Sequence, residues 1–324
     1  MVSLLNLPDV ALSKLLEKCD YLSIQALRKT CWNFRNFINT TNPTPLYQLT
    51  IHRKVDAFEM EFYSKNHQGK HAANVRVTLK KVRKGCHMTL IKNDGITKRF
   101  LKNKDFSEMF FTDYALVANN PNLILEEFDI SSNQPGCESV IERMKQSNPI
   151  RTKKFGMGFD ECSQLKELLS LVSPDHLEEI TVSKTNSFVF SLSLENVFEM
   201  DQWKNVKKLN LLCFIFDSSI QFLSPFDEVS AQIKEPNEEI LNSLKTIFIN
   251  SRTEKQFQFT FTHNDLDVYL ELLGQPFIDG NAIENWFFKS TVTDSYFCIQ
   301  LSEKLVFKHI DEKDVPTWAE VKVE

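Results

Sequence analysis

The stretch LPDVALSKLLEKCDYLSIQALRKTCWNF, Leu7 to Phe34, carries more apolar surface than two short helices can bury between themselves. Leu12, Leu15, Leu16 and Cys19 fall at i, i+3, i+4 and i+7 and predict a first helix. Ile24, Leu27, Cys31, Phe34 and Ile38 form the stripe of a second, with Ala26, Trp32 and Phe37 spilling outside it. Pro8 stands where a first-turn proline is tolerated, Asp9 suits a helix N-terminus, and Ser23 is placed to cap the second helix. A unit of about 40 residues rarely holds itself together without a staple or a partner. With neither a disulfide pattern nor metal-ligand spacing in it, this unit is expected to lean on another protein.

Outward from the helices, the polar run NTTNPTP from Asn39 to Pro45 reads as a linker. A strand-rich region follows, from about Leu46 to Leu101. In it Val75, Val77 and Leu79 alternate with Arg76, Thr78 and Lys80, the period of a half-buried strand. Asn93-Asp94-Gly95 between MTLIK and ITKRF predicts a hairpin. From about Asp105 an apolar-x-x-apolar-x-apolar pattern recurs as LEEFDI, TKKFGM, LEEITV, VKKLNL and LKTIFI, starting at Leu125, Thr152, Leu177, Val206 and Leu244. GCESVIERMKQ, DECSQLKELLSLV, LENVFEMDQW and PNEEILNSLK lie between them and read as helical. Such a period is that of a solenoid, in which each strand-plus-helix unit buries its face against the next. NWFFKS, SYFCIQL and EKLVFKHI then predict strands that close the array. The expected class is α/β. A small helical module (1–40) precedes a β-hairpin region (46–103), an irregular leucine-rich-repeat-like array with a curved, mainly parallel sheet (104–274), and capping strands (275–324).

The N-terminal stretch resembles an F-box, the helical module that docks substrate receptors onto the Skp adaptor of a cullin-based ubiquitin ligase. Leu7-Pro8 stand at that family's opening Leu-Pro and Leu15-Leu16 at its Ile-Leu. Ile24 takes the leucine of its Asp-Leu pair, Cys31 the cysteine of Val-Cys, and Phe34 the usual tryptophan. Val10, Cys19, Ser23 and Thr30 depart from its glutamate, leucine, aspartate and valine. SPDHLEEITV (from Ser173) and MDQWKNVKKLNL (from Met200) resemble signature segments of the FTH domain, the F-box-associated domain expanded in nematodes; the likeness covers roughly Lys104 to Gly274. Together the two resemblances imply an intracellular, non-catalytic adaptor. Leu7, Pro8, Leu15, Leu16, Ile24, Leu27, Cys31 and Phe34 would meet the Skp adaptor, and through it a cullin.

Composition agrees. Seven scattered cysteines without a CxxC pair favour reduced thiols, and no signal peptide or membrane-length apolar run is evident. A net charge of −5 argues against bulk attraction to nucleic acid or membranes. Between Arg76 and Lys104, however, ten lysines and arginines face a single acid, Asp94. That is either a solvated, edge-protecting hairpin or a patch for an acidic partner or nucleic acid. No nucleophile elbow, phosphate loop or zinc motif appears, and no cofactor or metal is expected. Gly156-Met157-Gly158 reads as a turn after a strand and His67/His71 as a loop pair. Asp265 and Asp267 read as helix-start residues, and all seven cysteines as packing residues.

Positions three and five of each repeat strand face away from the core, which exposes Glu127, Asp129, Lys154, Gly156, Glu179, Thr181, Lys208, Asn210, Thr246 and Phe248 on one sheet face. This face is the expected target-binding surface, with Glu127, Asp129, Lys154, Glu179, Thr181, Lys208, Asn210 and Phe248 as its candidates. The competing readings are a repeat scaffold with no ligase role, its N-terminal helices merely capping the array, and a nucleic-acid module built on residues 76–104.

Overall fold

The computed structural model describes residues 7–16, 19, 21–28, 30–41, 46–65, 71–92, 95–132, 138–159, 164–184, 190–192, 194–261, 266–278, 280 and 283–324. Two compact units divide the chain, Met1–Leu177 and Glu178–Glu324.

The first unit opens with helices α1 (Asp9–Leu16), α2 (Tyr21–Arg28) and α3 (Trp32–Thr41). Three helices thus stand where two were expected. The split comes at Thr30, whose N–H and hydroxyl both donate to the Leu27 carbonyl and close α2 as a turn. The apolar stripe survives the break. Leu12, Leu16, Ile24, Phe34 and Ile38 make a core of their own, ringed by half-buried Leu15, Cys19, Leu27, Cys31 and Phe37.

Strands β1 (Leu46–Lys54), β2 (Ala57–Lys65), β3 (His71–Val82), β4 (Gly85–Lys92) and β5 (Gly95–Lys102) then form an antiparallel meander. Residues 93 and 94 of the expected hairpin turn lie outside the described residues, but Lys92 pairs with Gly95 across it. Gly85 is required by its place. Its φ is +151°, and a Cβ there would stand 2.2 Å from the Leu101 carbonyl oxygen. Helix α4 (Phe106–Ala118) follows, begun by Asp105, whose carboxylate accepts the N–H groups of Ser107 and Glu108 at 2.8 and 3.0 Å. Its Phe110 stacks on Phe58 of β2 with ring centres 4.0 Å apart.

β6 (Leu125–Ser132), α5 (Glu138–Met144), β7 (Thr152–Phe159) and α6 (Gln164–Leu169) supply the strand-helix alternation. β6 lies parallel between β1 and β7, so the strand order is β5-β4-β3-β2-β1-β6-β7. Leu49, Ile51, Met60, Phe62, Val77, Leu79, Phe128 and Phe155 fill one face of this sheet. The opposite face alternates with it and is polar.

The second unit runs β8 (Glu179–Lys184), β9 (Phe190–Leu192), α7 (Asp201–Lys204), β10 (Lys208–Phe216), β11 (Glu228–Ile233), α8 (Glu238–Asn250), β12 (Gln256–Phe261) and α9 (Leu266–Leu273). It ends with β13 (Phe277–Ile278), β14 (Glu284–Lys289), β15 (Tyr296–Leu301), β16 (Leu305–Ile310) and β17 (Val321–Val323). β8, β10, β11 and β12 are parallel in that order, and β16, β15 and β14 continue antiparallel from β12. The fold class is therefore the expected one, α/β with N-terminal helices and a large mixed sheet arrangement.

Two expectations fail in this unit. LKTIFI is not a strand but the second half of α8, because Asn237 caps that helix through its side chain, 2.9 Å from the Ile240 N–H. From that cap Leu241, Leu244, Ile247 and Phe248 bury at helical spacing. The repeat strands in that stretch are instead β11 and β12, so the long step before LKTIFI conceals one of them. LENVFEMDQW is mostly turns, with helix only over the four residues of α7. Trp203, fully buried there, meets Phe226 edge-on at 5.0 Å.

Candidate functional site

The eight residues expected at the adaptor interface divide by depth. Leu16, Ile24 and Phe34 are buried in the helices' own core, Leu7, Leu15, Leu27 and Cys31 are half-buried, and Pro8 is exposed. The buried three thus shape the module without presenting atoms to a partner. Val10 and Trp32 are absent from the expected set yet stand 70% and 69% exposed. Trp32 had a signal: it lies off the buried stripe, where a large apolar side chain has no intramolecular reason to be. Tyr21 of α2 stacks on Phe62 of β2 at 5.2 Å, and burial raises its hydroxyl pKa well above the ordinary tyrosine value.

On the polar face of the first unit, Glu127 and Lys154 are register partners on β6 and β7, and Asp129 lies opposite Gly156. Asp129 accepts from Gln48 Nε2 at 2.9 Å and Thr50 Oγ1 at 3.4 Å. A Cβ at residue 156 would come within 1.9 Å of Asp129 Oδ1. Gly156-Met157-Gly158 is thus strand rather than turn, and Gly156 makes room for a neighbouring carboxylate. The face continues onto β1, β2 and β3, none of which contributes to the expected set. Here His52, Glu59 and Glu61 bring ligand atoms within 4.8 Å of one another. Protein cations already compensate these carboxylates. Lys54 lies 3.1 Å from Glu59, Arg76 lies 2.7 Å from Glu61, and Tyr63 donates to Glu61. The alternation of β1 and β2 held the signal for this cluster, since Glu59 and Glu61 fall on the same side as His52.

In the second unit Lys208 and Asn210 of β10 lie opposite Glu179 and Thr181 of β8. Asn210 Nδ2 donates to Glu179 at 2.8 Å and Thr181 at 3.3 Å, while Lys208 pairs with Glu228 at 2.8 Å. That hydrogen-bonded ion pair raises the Lys208 pKa. Thr246 and Phe248 do not join this face. Phe248 is fully buried on α8, among the rings of Phe257, Phe297, Phe307 and His309. It is a core residue.

Among the described cysteines one departs from expectation. Cys86 and Cys298 are buried, and burial pushes the Cys298 thiol up to about 12, but Cys213 is exposed with φ +67°. Cys137, Cys162, His67 and Asp265 lie outside the described residues. Asp267 sits in the first turn of α9. No helix among the described residues is long and apolar enough to cross a membrane.

Comparison with known proteins adds two domain matches. Residues 4–45 match the F-box domain and residues 136–277 the FTH domain. The chain is 25% identical over 169 residues to F-box A protein 224 of Caenorhabditis elegans, an alignment covering 49% of this chain and 43% of that protein. No solved structure matches. Helices with their own small core carry the F-box match, and a match to the FTH domain follows on the same chain.

Proposed function

We propose that the chain is a substrate-recognition adaptor of a Skp-cullin-F-box ubiquitin ligase. Its F-box binds the Skp adaptor, and a polar sheet face holds a target protein. The conjugating enzyme recruited by the ligase supplies the chemistry, so this chain contributes proximity rather than a catalytic group. The observation that carries the reading is the half-open apolar rim. Leu15, Leu27 and Cys31 pack on a core drawn from α1–α3 alone, and exposed Val10 and Trp32 extend the apolar surface. Helices that merely capped an array would bury Leu15 and Leu27 against it. The candidate target-binding residues are Glu127, Asp129 and Lys154 in the first unit, and Glu179, Thr181, Lys208 and Asn210 in the second. The protein works inside the cell on this reading and needs no cofactor.

Capture of the purified chain on immobilised Skp adaptor tests the proposal. A Leu15→Asp/Leu27→Asp variant should lose capture, because burying an unpaired carboxylate costs more than the roughly 2–7 kcal/mol of a neutral polar group. Trp32→Asp, at an exposed position, serves as a second variant that leaves the helices' own core intact. Retained capture by all variants, or none by the folded wild type, would overturn the docking role. With docking intact, Asp129→Ala tests the polar face of the first unit and Glu179→Ala/Lys208→Ala that of the second; target binding unchanged in both would remove these faces from the reading.

A further inference from the structure

The β4–β5 hairpin contributes to neither surface described above, yet it has three properties that rarely coincide. Its outer strand is an open edge among the described residues: β5 is registered against β4 alone, and seven of its eight residues are exposed. Alternate residues of such a strand turn their N–H and C=O groups outward, unpaired. The edge is also apolar where solvent would not favour it. Ile96 is 64% and Phe100 50% exposed, four residues apart on the same face. Finally, it is basic. Lys98 and Lys102 interleave with Ile96 and Phe100, Arg99 lies on the other face, and none of the three cations has an ion-pair partner among the described residues.

Protection against stray pairing would account for the charge but not for Ile96 and Phe100. Two copies of the edge would set cation against cation, so the occupant is not a second β5. A nucleic acid would meet the charge but leave the outward amides unpaired, and Phe100 is the single aromatic ring on β5. We infer that β5 is a docking edge for an extended, acidic and apolar segment of another protein, which adds as a further strand. The order Ile96-Lys98-Phe100-Lys102 dictates the pattern of the added strand: on one face apolar residues alternate with acids, and on the other an acid lies opposite Arg99. The inference stands independently of the ligase reading, since no adaptor is needed for binding.

The probe is a labelled peptide built antiparallel to that order, EVIEETV, titrated by fluorescence anisotropy into the whole chain at low salt. The wild type should bind it about tenfold more tightly than KVIKKTV. Methylating one alternate set of peptide nitrogens should abolish binding, and methylating the other set should leave it intact, because only one set faces β5. Ile96→Ser/Phe100→Ser should weaken the complex about tenfold, and Lys98→Glu/Arg99→Glu/Lys102→Glu should reverse the preference between the two peptides. All these positions are exposed or at the rim, and circular dichroism of each variant checks its fold. Absence of binding, indifference to both methylated sets, or tighter binding of a dT20 oligonucleotide than of EVIEETV would each overturn the proposal. The methylated probes act on the wild-type chain, so the outcome does not depend on any variant folding.

Discussion

Asp105 shows how much one side chain can decide. Its carboxylate accepts the Ser107 hydroxyl and the backbone N–H groups of Glu108 and Ser107, which hold its pKa below the ordinary carboxylate value. A depressed carboxylate stabilises the fold above its unfolded pKa, and that contribution fades as pH falls through the folded value. Asp105→Ala should therefore cost about 1 kcal/mol at pH 7. The gap to wild type should narrow at pH 3, as read from urea unfolding by circular dichroism. Such a cap has a sequence signal, an aspartate before an apolar run, but α4 was not among the expected helices. The partnership of Asp129 with Gly156 has no such signal. It joins residues far apart in the chain, and only the register of β6 against β7 reveals that a glycine is there to admit a carboxylate.

Elements were legible where a period ran long enough to be unambiguous. The stripe of α1, the alternation of β3 and the closing strands β14–β16 fall where they were expected, whereas the single second helix is split into α2 and α3. LKTIFI failed because six residues of apolar-x-x-apolar-x-apolar fit one flank of a helix as well as a strand, and the Asn237 cap settles the contest. β10 holds a different lesson. Its first half pairs with β8 and its last three residues with β9, and between them Cys213 takes a left-handed φ of +67° while the register against β11 shifts. Nothing in LNLLCFIF announces such a bulge. A non-glycine residue there stores about 1–2 kcal/mol, and a β-branched one stores more. Cys213→Gly is thus expected to match or slightly exceed wild-type stability, with Cys213→Val about 1–2 kcal/mol below the glycine variant, measured by thermal unfolding.

For the whole molecule, charge is distributed rather than summed. The chain is acidic overall, at −5, yet ten of its 38 basic residues crowd into residues 76–104 beside one of its 43 acids. Such a patch acts locally, within a Debye length of about 10 Å at 0.1 M salt. The protein should therefore be retained on a cation exchanger at pH 7 and low salt despite its net sign. Lys98→Glu/Arg99→Glu/Lys102→Glu should elute in the flow-through. Two-domain order along the chain was legible from the F-box and FTH resemblances, whereas the polar face reaching across β1, β2 and β3 was not. That face is assembled by strand pairing between segments whose individual patterns look ordinary.

The stack of Tyr21 on Phe62 carries a mechanical consequence. A docking module on a loose tether would let its cargo sample a wide cone. An aromatic clasp between α2 and β2 removes that swivel within the first unit. Whatever grips the F-box thereby also aims the sheet behind it. On the proposed adaptor reading, a bound target would then present the same few lysines at every encounter, and selectivity for the modified position would come from angle as much as from affinity.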